Sequence, residues 1–193
     1  MSGAAVHPPL VGWDEFVLLD EDDTRELIDG VLVELEANTL PHEHAVMEVA
    51  AALHAWAKAG DQGMVLASGY KVRISDRRGV QPDVQFISKE RRGLLDTKGL
   101  TRGAPDLVVE VISASSRRYD RVVKFGWYAA AGVGEYWIVD PEARTLERLV
   151  LGLDGRYATA AKLGGGDVFE PESFPGLSIA LSDVWVDAPK AGG

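Results

Sequence analysis

A chain of 193 residues, 46% apolar and 26% charged, is long enough for one domain with a full core and has the composition of a soluble globular protein. It has no cysteine, which excludes disulfides and thiolate metal sites. No segment approaches the roughly 18 apolar residues of a bilayer span, and the first residues lack the basic-then-apolar pattern of a signal peptide, so a cytoplasmic protein with no membrane partner is expected. The net charge of −10 argues at first sight against a nucleic-acid partner, but the charge is unevenly spread. Residues 89–124 carry nine Lys/Arg and five Asp/Glu, or +4; the remainder carries 11 and 25, or −14. That asymmetry permits a polyanionic substrate, while a solvated basic loop explains it equally well.

Residues 1–12 are expected to be a disordered tail, 13–187 a single domain and 188–193 a second tail. Asp14 is placed to cap a short helix running through Phe16 and Leu19. Glu26 to Glu34 is a hairpin signal, because Asp29-Gly30 suits a type I′ turn between β-forming residues. A helix is predicted from about His42 to Ala59, with Val46, Val49, Leu53 and Trp56 at helical spacing. Strands follow at Met64–Ala67, Tyr70–Ile74 and Val80–Ile87, with Asp83 near the start of the last. Residues 88–104 form a charged loop.

The segment 105–140 predicts a buried strand, a crossover helix and a second buried strand, a βαβ unit. Leu107 to Ile112 is apolar except for Glu110, as in a central strand covered on both faces. A carboxylate there must be paired, protonated or bound to a metal. Ser115 or Ser116 can cap the helix, which carries Tyr119, Val122, Val123, Trp127 and Ala130 inward, and Gly132 ends it. Arg144–Leu151 is expected at a half-exposed edge and pairs with Tyr157–Leu163, and the last strand is Leu177–Leu181.

The motif search first removes alternatives. HExxH, GxSxG and a strand-following GxGxxG are all absent, so a zincin, a serine hydrolase or a dinucleotide enzyme is unsupported. His42 and His44 cannot face one metal from a helix, and all four histidines read as structural or exposed; His44, at the start of the long helix, is kept as an additional candidate near the site. Carboxylate chemistry survives. Asp83 and Glu110, on neighbouring strands, can share a hard divalent cation. As alternatives, Asp83 is a turn residue, Glu110 is in a buried ion pair, and Lys124 sits in a surface stripe with Asp120 and Tyr128.

At these residues the chain resembles a known family. The blocks RELIDGVLVE, PHEHAVM, VQPDVQFI, APDLVVEVISASS, YDRVVKFGWYAAAGVGEYWIVDP and FPGLSIALSDVW are similar, in order and spacing, to the bacterial family named putative restriction endonucleases. That family is a branch of the PD-(D/E)XK nuclease superfamily. The resemblance implies an α/β fold: a restriction-endonuclease-like mixed central sheet flanked by helices, with extra β-hairpins at its edge. It implies Asp83 and Glu110 as metal ligands and catalytic residues. Ile112 stands where the superfamily usually has its lysine, and in this branch the lysine has moved to the following helix, at Lys124. Glu26 and Glu34 resemble positions that add a carboxylate. Arg117, Arg118 and Arg121 are candidates for contacts to nucleic acid. The implied activity is Mg²⁺-dependent cleavage of DNA, with Mn²⁺ able to substitute; cutting both strands favours a homodimer. The alternative is a catalytically silent nuclease-fold module that binds nucleic acid or protein.

Overall fold

The computed structural model describes residues 9–20, 23–34, 38–67, 69–113, 116–117 and 119–187. In chain order the elements are α1 (Trp13–Phe16), β1 (Glu26–Ile28), β2 (Val31–Val33), α2 (Leu40–Ala59), β3 (Gly63–Ala67), β4 (Lys71–Ser75), β5 (Arg78–Val80) and β6 (Val84–Ser88). They continue with β7 (Gly99–Leu100), β8 (Leu107–Val111), α3 (Phe125–Ala131), β9 (Glu135–Asp140), β10 (Thr145–Leu151), β11 (Tyr157–Gly164), β12 (Val168–Phe169), β13 (Ile179–Ala180) and α4 (Leu181–Val184). A six-stranded sheet runs β11-β10-β9-β8-β6-β3, and a five-stranded sheet runs β2-β1-β5-β4-β7. Within the larger sheet β8 and β9 are parallel and the other neighbours antiparallel. This is the expected α/β architecture, a mixed central sheet with helices and added hairpins.

Strands β8 and β9 are buried along their whole length because the large sheet is covered twice. On one face α2 delivers Ala45, Val46, Val49, Leu53 and Ala57 against Val84, Leu107, Val109 and Val111. On the other, Val108 and Ile112 join Val72, Val80, Trp127, Tyr128 and Tyr136 beneath α3 and the smaller sheet. Each fully buried Val or Leu contributes about 1.5–3 kcal/mol relative to exposure. Thr39 caps α2 by accepting the His42 amide at 3.4 Å, and Gly132 ends α3 in the left-handed region at φ 81°. The first hairpin turns through Asp29 at φ 49° and Gly30 at φ 86°, as Asp-Gly predicts for type I′. Gly79 is required by packing, since a Cβ there would stand 2.6 Å from the Phe16 ring.

Several local expectations change. Gly12, not Asp14, is the N-cap of α1, and Val11 bonds the Gly30 carbonyl at 2.8 Å, so the chain is already tied to the domain at that residue. The single strand Val80–Ile87 is divided, because Pro82 has no N–H to donate and the pairing restarts at Val84. The charged loop contains a 3₁₀ turn, Lys89–Leu94, and the short strand β7. Arg144–Leu151 is an inner strand, with the edge formed by β11. The crossover helix opens as a π-helix over Tyr119–Lys124 before α3 begins, and Val122, expected inward, is 63% exposed. Leu177–Leu181 keeps only the two residues of β13, then turns into α4. Ser115, Arg118 and the expected tails at 1–8 and 188–193 lie outside the described residues.

Candidate active site

The register of the central strands brings the two acids together. β6 and β8 pair Val84 with Val109 and Gln85 with Val108, so the next step of the ladder sets Asp83 against Glu110. Pro82 stops the ladder there, and the Asp83 carboxylate replaces a backbone partner by accepting the Val111 amide on Oδ2 at 2.7 Å. Glu110 points to the α3 face with its alternate neighbours Val108 and Ile112 and is 3% exposed.

Lys124 reaches Glu110 from the π-helical turn. One extra residue per turn stacks positions five apart, which places Tyr119 and Lys124 over the same patch; such turns recur at functional sites. The Lys124 Nζ lies 2.9 Å from Glu110, 3.0 Å from Glu26 and 3.4 Å from Asp120. Tyr128 donates to the same Glu110 oxygen at 2.5 Å. Glu26 in turn accepts Tyr119 OH at 3.0 Å and the Gln81 amide at 3.2 Å. Asp120, Lys124 and Tyr128 therefore do share one helix face, but it is buried and not a surface stripe. Of the two readings of Glu110, the buried ion pair is present.

The electrostatics follow from burial. It pushes the Glu110 carboxyl well above its usual range; Lys124 opposes this, while Asp120, Asp83 and Glu26 add to it. Burial alone would lower Lys124, but the carboxylates of Glu110 and Glu26 outweigh it and hold the ammonium well above the usual lysine value. Three carboxylates, Glu26, Glu110 and Asp120, thus surround one ammonium. Burial also raises Tyr119 and Tyr128, so both stay hydrogen-bond donors.

Asp83, Glu110, Tyr119, Asp120 and Lys124 line a cleft of about 280 Å³, together with Glu34, Asn38, His42, Ser113 and Ser116. His42 was not singled out from the sequence, although it falls on the buried stripe of α2 with Ala45, Val46 and Val49, at i, i+3, i+4 and i+7. Its Nε2 stands 3.4 Å from Asp83 Oδ2, and its buried Nδ1 lies 3.5 Å from Glu43, too far for a good hydrogen bond. Burial lowers its pKa, but the carboxylates of Asp83 and Glu43 together more than compensate and leave it raised. His44, two residues on and about 200° round the helix, bonds the Asp183 carbonyl at 2.9 Å instead and does not line the cleft. Tyr119 and Tyr128 were also missed as carboxylate partners. Arg117 is held by Asp140 at 2.8 Å and Glu142 at 2.9 Å, and Arg121 by Glu147 at 2.8 Å.

Among the described residues no three His, Asp or Glu side chains converge as a metal cluster. Asp83 and Glu110 nevertheless offer hard oxygen donors in one cleft where acids outnumber cations. That donor set suits a cation keeping most of its water, such as Mg²⁺, and not one that needs a full protein cage.

The fold has a solved counterpart. Over 91% of this chain and 97% of the other, it superposes with a TM-score of 0.72 and 16% identity on a protein from Anabaena variabilis ATCC 29413, titled a putative nuclease belonging to DUF820. A weaker match, with TM-score 0.41 and 12% identity, covers 70% of this chain and 16% of the type IIG restriction endonuclease BpuSI. No curated protein matches the sequence. Residues 13–182 match the profile of the Uma2 family, described as "Putative restriction endonuclease", and the chain belongs to that family.

Proposed function

We propose that the protein is a metal-dependent endonuclease that hydrolyses phosphodiester bonds in DNA. Asp83 and Glu110 would hold Mg²⁺, with Mn²⁺ able to replace it, and Lys124 completes the site. One observation carries this reading: the β6–β8 register sets two carboxylates side by side in a cleft where Lys124 is buried among acids. A divalent cation there supplies Lewis acidity to the phosphate and lowers the pKa of a bound water.

The chain's own groups divide the remaining work. Hydrolysis joins a water oxygen to phosphorus, the water giving up a proton to solvent, and breaks the bond to a sugar oxygen, which leaves with a proton from solvent. The carboxylates of Glu110 and Glu26 hold the Lys124 ammonium well above the usual lysine value. It acts as a fixed positive charge and donor. Its longest contact, to Asp120 at 3.4 Å, is the one most readily exchanged for the incoming water or phosphate oxygen. His42 and the Val111 amide hold Asp83 in place. Two such centres, as in a homodimer, would serve the two strands of a duplex.

Supercoiled plasmid, with RNA as a parallel substrate, tests the proposal. Nicked and linear DNA are expected with Mg²⁺ and not with EDTA, and Asp83→Ala or Glu110→Ala should abolish them. Full cleavage in EDTA, or in both variants, would overturn it. Metal-dependent DNA binding without any cleavage would leave a silent binding module.

A further inference from the structure

Asp83 and Glu110 share a pattern at their oxygens. Glu110 Oε1 accepts both Lys124 at 2.9 Å and Tyr128 at 2.5 Å. Asp83 Oδ2 accepts the Val111 amide at 2.7 Å and faces His42 at 3.4 Å. Among the described residues no donor reaches Glu110 Oε2 or Asp83 Oδ1. Asp83 and Glu110 thus each have one oxygen engaged and one left over.

We infer that this pinning makes the centre selective for Mg²⁺ over Ca²⁺, and that Tyr128 is the positioning residue that sets the preference. The inference rests on the proposed metal site. Ca²⁺ collects six to eight oxygens and often takes a carboxylate through both; Mg²⁺ demands a tight octahedron, takes one or two carboxylates, and keeps its waters. Two unpinned oxygens, on which no group of three His, Asp or Glu converges among the described residues, match the second pattern. For Glu110 to bind through both oxygens, the Tyr128 hydrogen bond must break, and the phenol, fully buried against Tyr136, would be left without an acceptor. Such an orphaned donor costs more than the net value of the bond that was lost. Asp83 is constrained likewise, in part by a backbone amide that cannot swing away. Lys124 also pins Glu110, but it cannot be removed without exposing the other acids to one another. Tyr128 is the pin that can be deleted alone.

Calorimetric titration of metal-free protein with Mg²⁺ and, separately, with Ca²⁺ decides the matter. Tyr128→Phe removes one oxygen and keeps the ring against Tyr136. Removing a partner that orients a metal ligand typically changes affinity about 10–100-fold. The ratio of the Ca²⁺ to the Mg²⁺ Kd should therefore fall about tenfold in Tyr128→Phe, a change that general loosening of the fold would not produce. His42→Gln, acting on Asp83, should move the ratio the same way by a smaller factor, and it decides the question if Tyr128→Phe fails to fold. A ratio constant within about twofold in the folded variants overturns the selectivity while leaving the metal site intact. A wild-type protein that binds neither cation overturns the metal site, and the selectivity with it.

Discussion

Replacing Lys124 by Met should cost the metal-free protein about 3–5 kcal/mol, because it strands buried acids. Met fills the volume of the lysine stem, so cavity formation adds little. What is lost is an ammonium within 2.9, 3.0 and 3.4 Å of Glu110, Glu26 and Asp120. Removing one partner of a buried ion pair typically costs about 3–5 kcal/mol, a large share of the roughly 5–15 kcal/mol that holds a domain together. Urea unfolding at pH 7.5, with the slope m checked for constancy, measures it. Adding Glu26→Gln should recover part of the loss, with a coupling of about 0.5–3 kcal/mol in the double-mutant cycle. The deficit should also shrink toward pH 5, as Glu110, already raised by burial, takes up a proton. A loss below about 1 kcal/mol that ignores both pH and Glu26 would return Lys124 to the class of exposed ion pairs and refute the reasoning. The same result would remove the electrostatic case for the site, since an exposed lysine could not be held as a fixed charge.

In plasmid cleavage with Mg²⁺, Lys124→Met should lower the rate about 10²–10⁴-fold; a wild-type rate would show that the site works without it. Without metal, wild-type stability should fall as pH rises from the unfolded toward the folded pKa values of Glu110 and His42. The folded pKa values of Glu110 and His42 are both raised, so their contributions are complete below the unfolded values and are lost as pH passes the folded ones. Saturating Mg²⁺ should flatten this profile, and a stability that rises with pH in urea titrations would contradict it. Replacing Arg117 and Arg121 with Ala should change the salt slope of DNA binding by less than one unit in total, because their guanidinium groups are already paired with Asp140, Glu142 and Glu147; a fall of about two units would make them phosphate contacts. Gly79→Ala should destabilise by about 1–3 kcal/mol in urea unfolding through overpacking against Phe16, and a neutral result would mean that the helix α1 shifts freely.

Glu110 was legible because a carboxylate inside an apolar strand demands a partner. The β-rich pattern of Val80–Ile87 placed Asp83 on a neighbouring strand. The pairing register and the break at Pro82 were less visible, since both depend on which strands meet. Glu26 shows the limit most clearly. Locally it belongs to a two-stranded hairpin, where a glutamate is solvated, yet Leu27 pairs with Gly79 and makes β1 an inner strand of five. That long-range pairing leaves Glu26 fully buried. The π-helical turn was equally hidden, because an α-helical period fits residues 119–131 and only the tertiary need to seat Lys124 and Tyr119 favours the wider turn. His42 could have been found: it shares the apolar stripe of its helix, and a histidine on such a stripe is buried wherever the stripe is.

The distribution of charge sets how a polyanion can be received. The basic stretch that distinguished residues 89–124 is largely committed within the fold: Lys89 and Arg92 to Asp61, Arg91 to Asp106, Arg117 to Asp140 and Arg121 to Glu147. Lys124 is committed most deeply of all. The cleft itself is acidic, with Glu34, Asp83, Glu110 and Asp120 on its wall. A phosphate approaching it meets repulsion until a divalent cation offsets those carboxylates. On the proposed reading the cation therefore admits the substrate as well as activating water, and metal and DNA should bind with positive coupling. Fluorescence anisotropy of a labelled duplex, titrated with the cleavage-deficient Lys124→Met variant, checks this. Mg²⁺ should tighten DNA binding by tenfold or more, with a coupling of about 1–3 kcal/mol, and DNA should tighten Mg²⁺ binding by the same factor. Equal DNA affinity with and without Mg²⁺ would mean that the duplex is held by a surface away from the cleft.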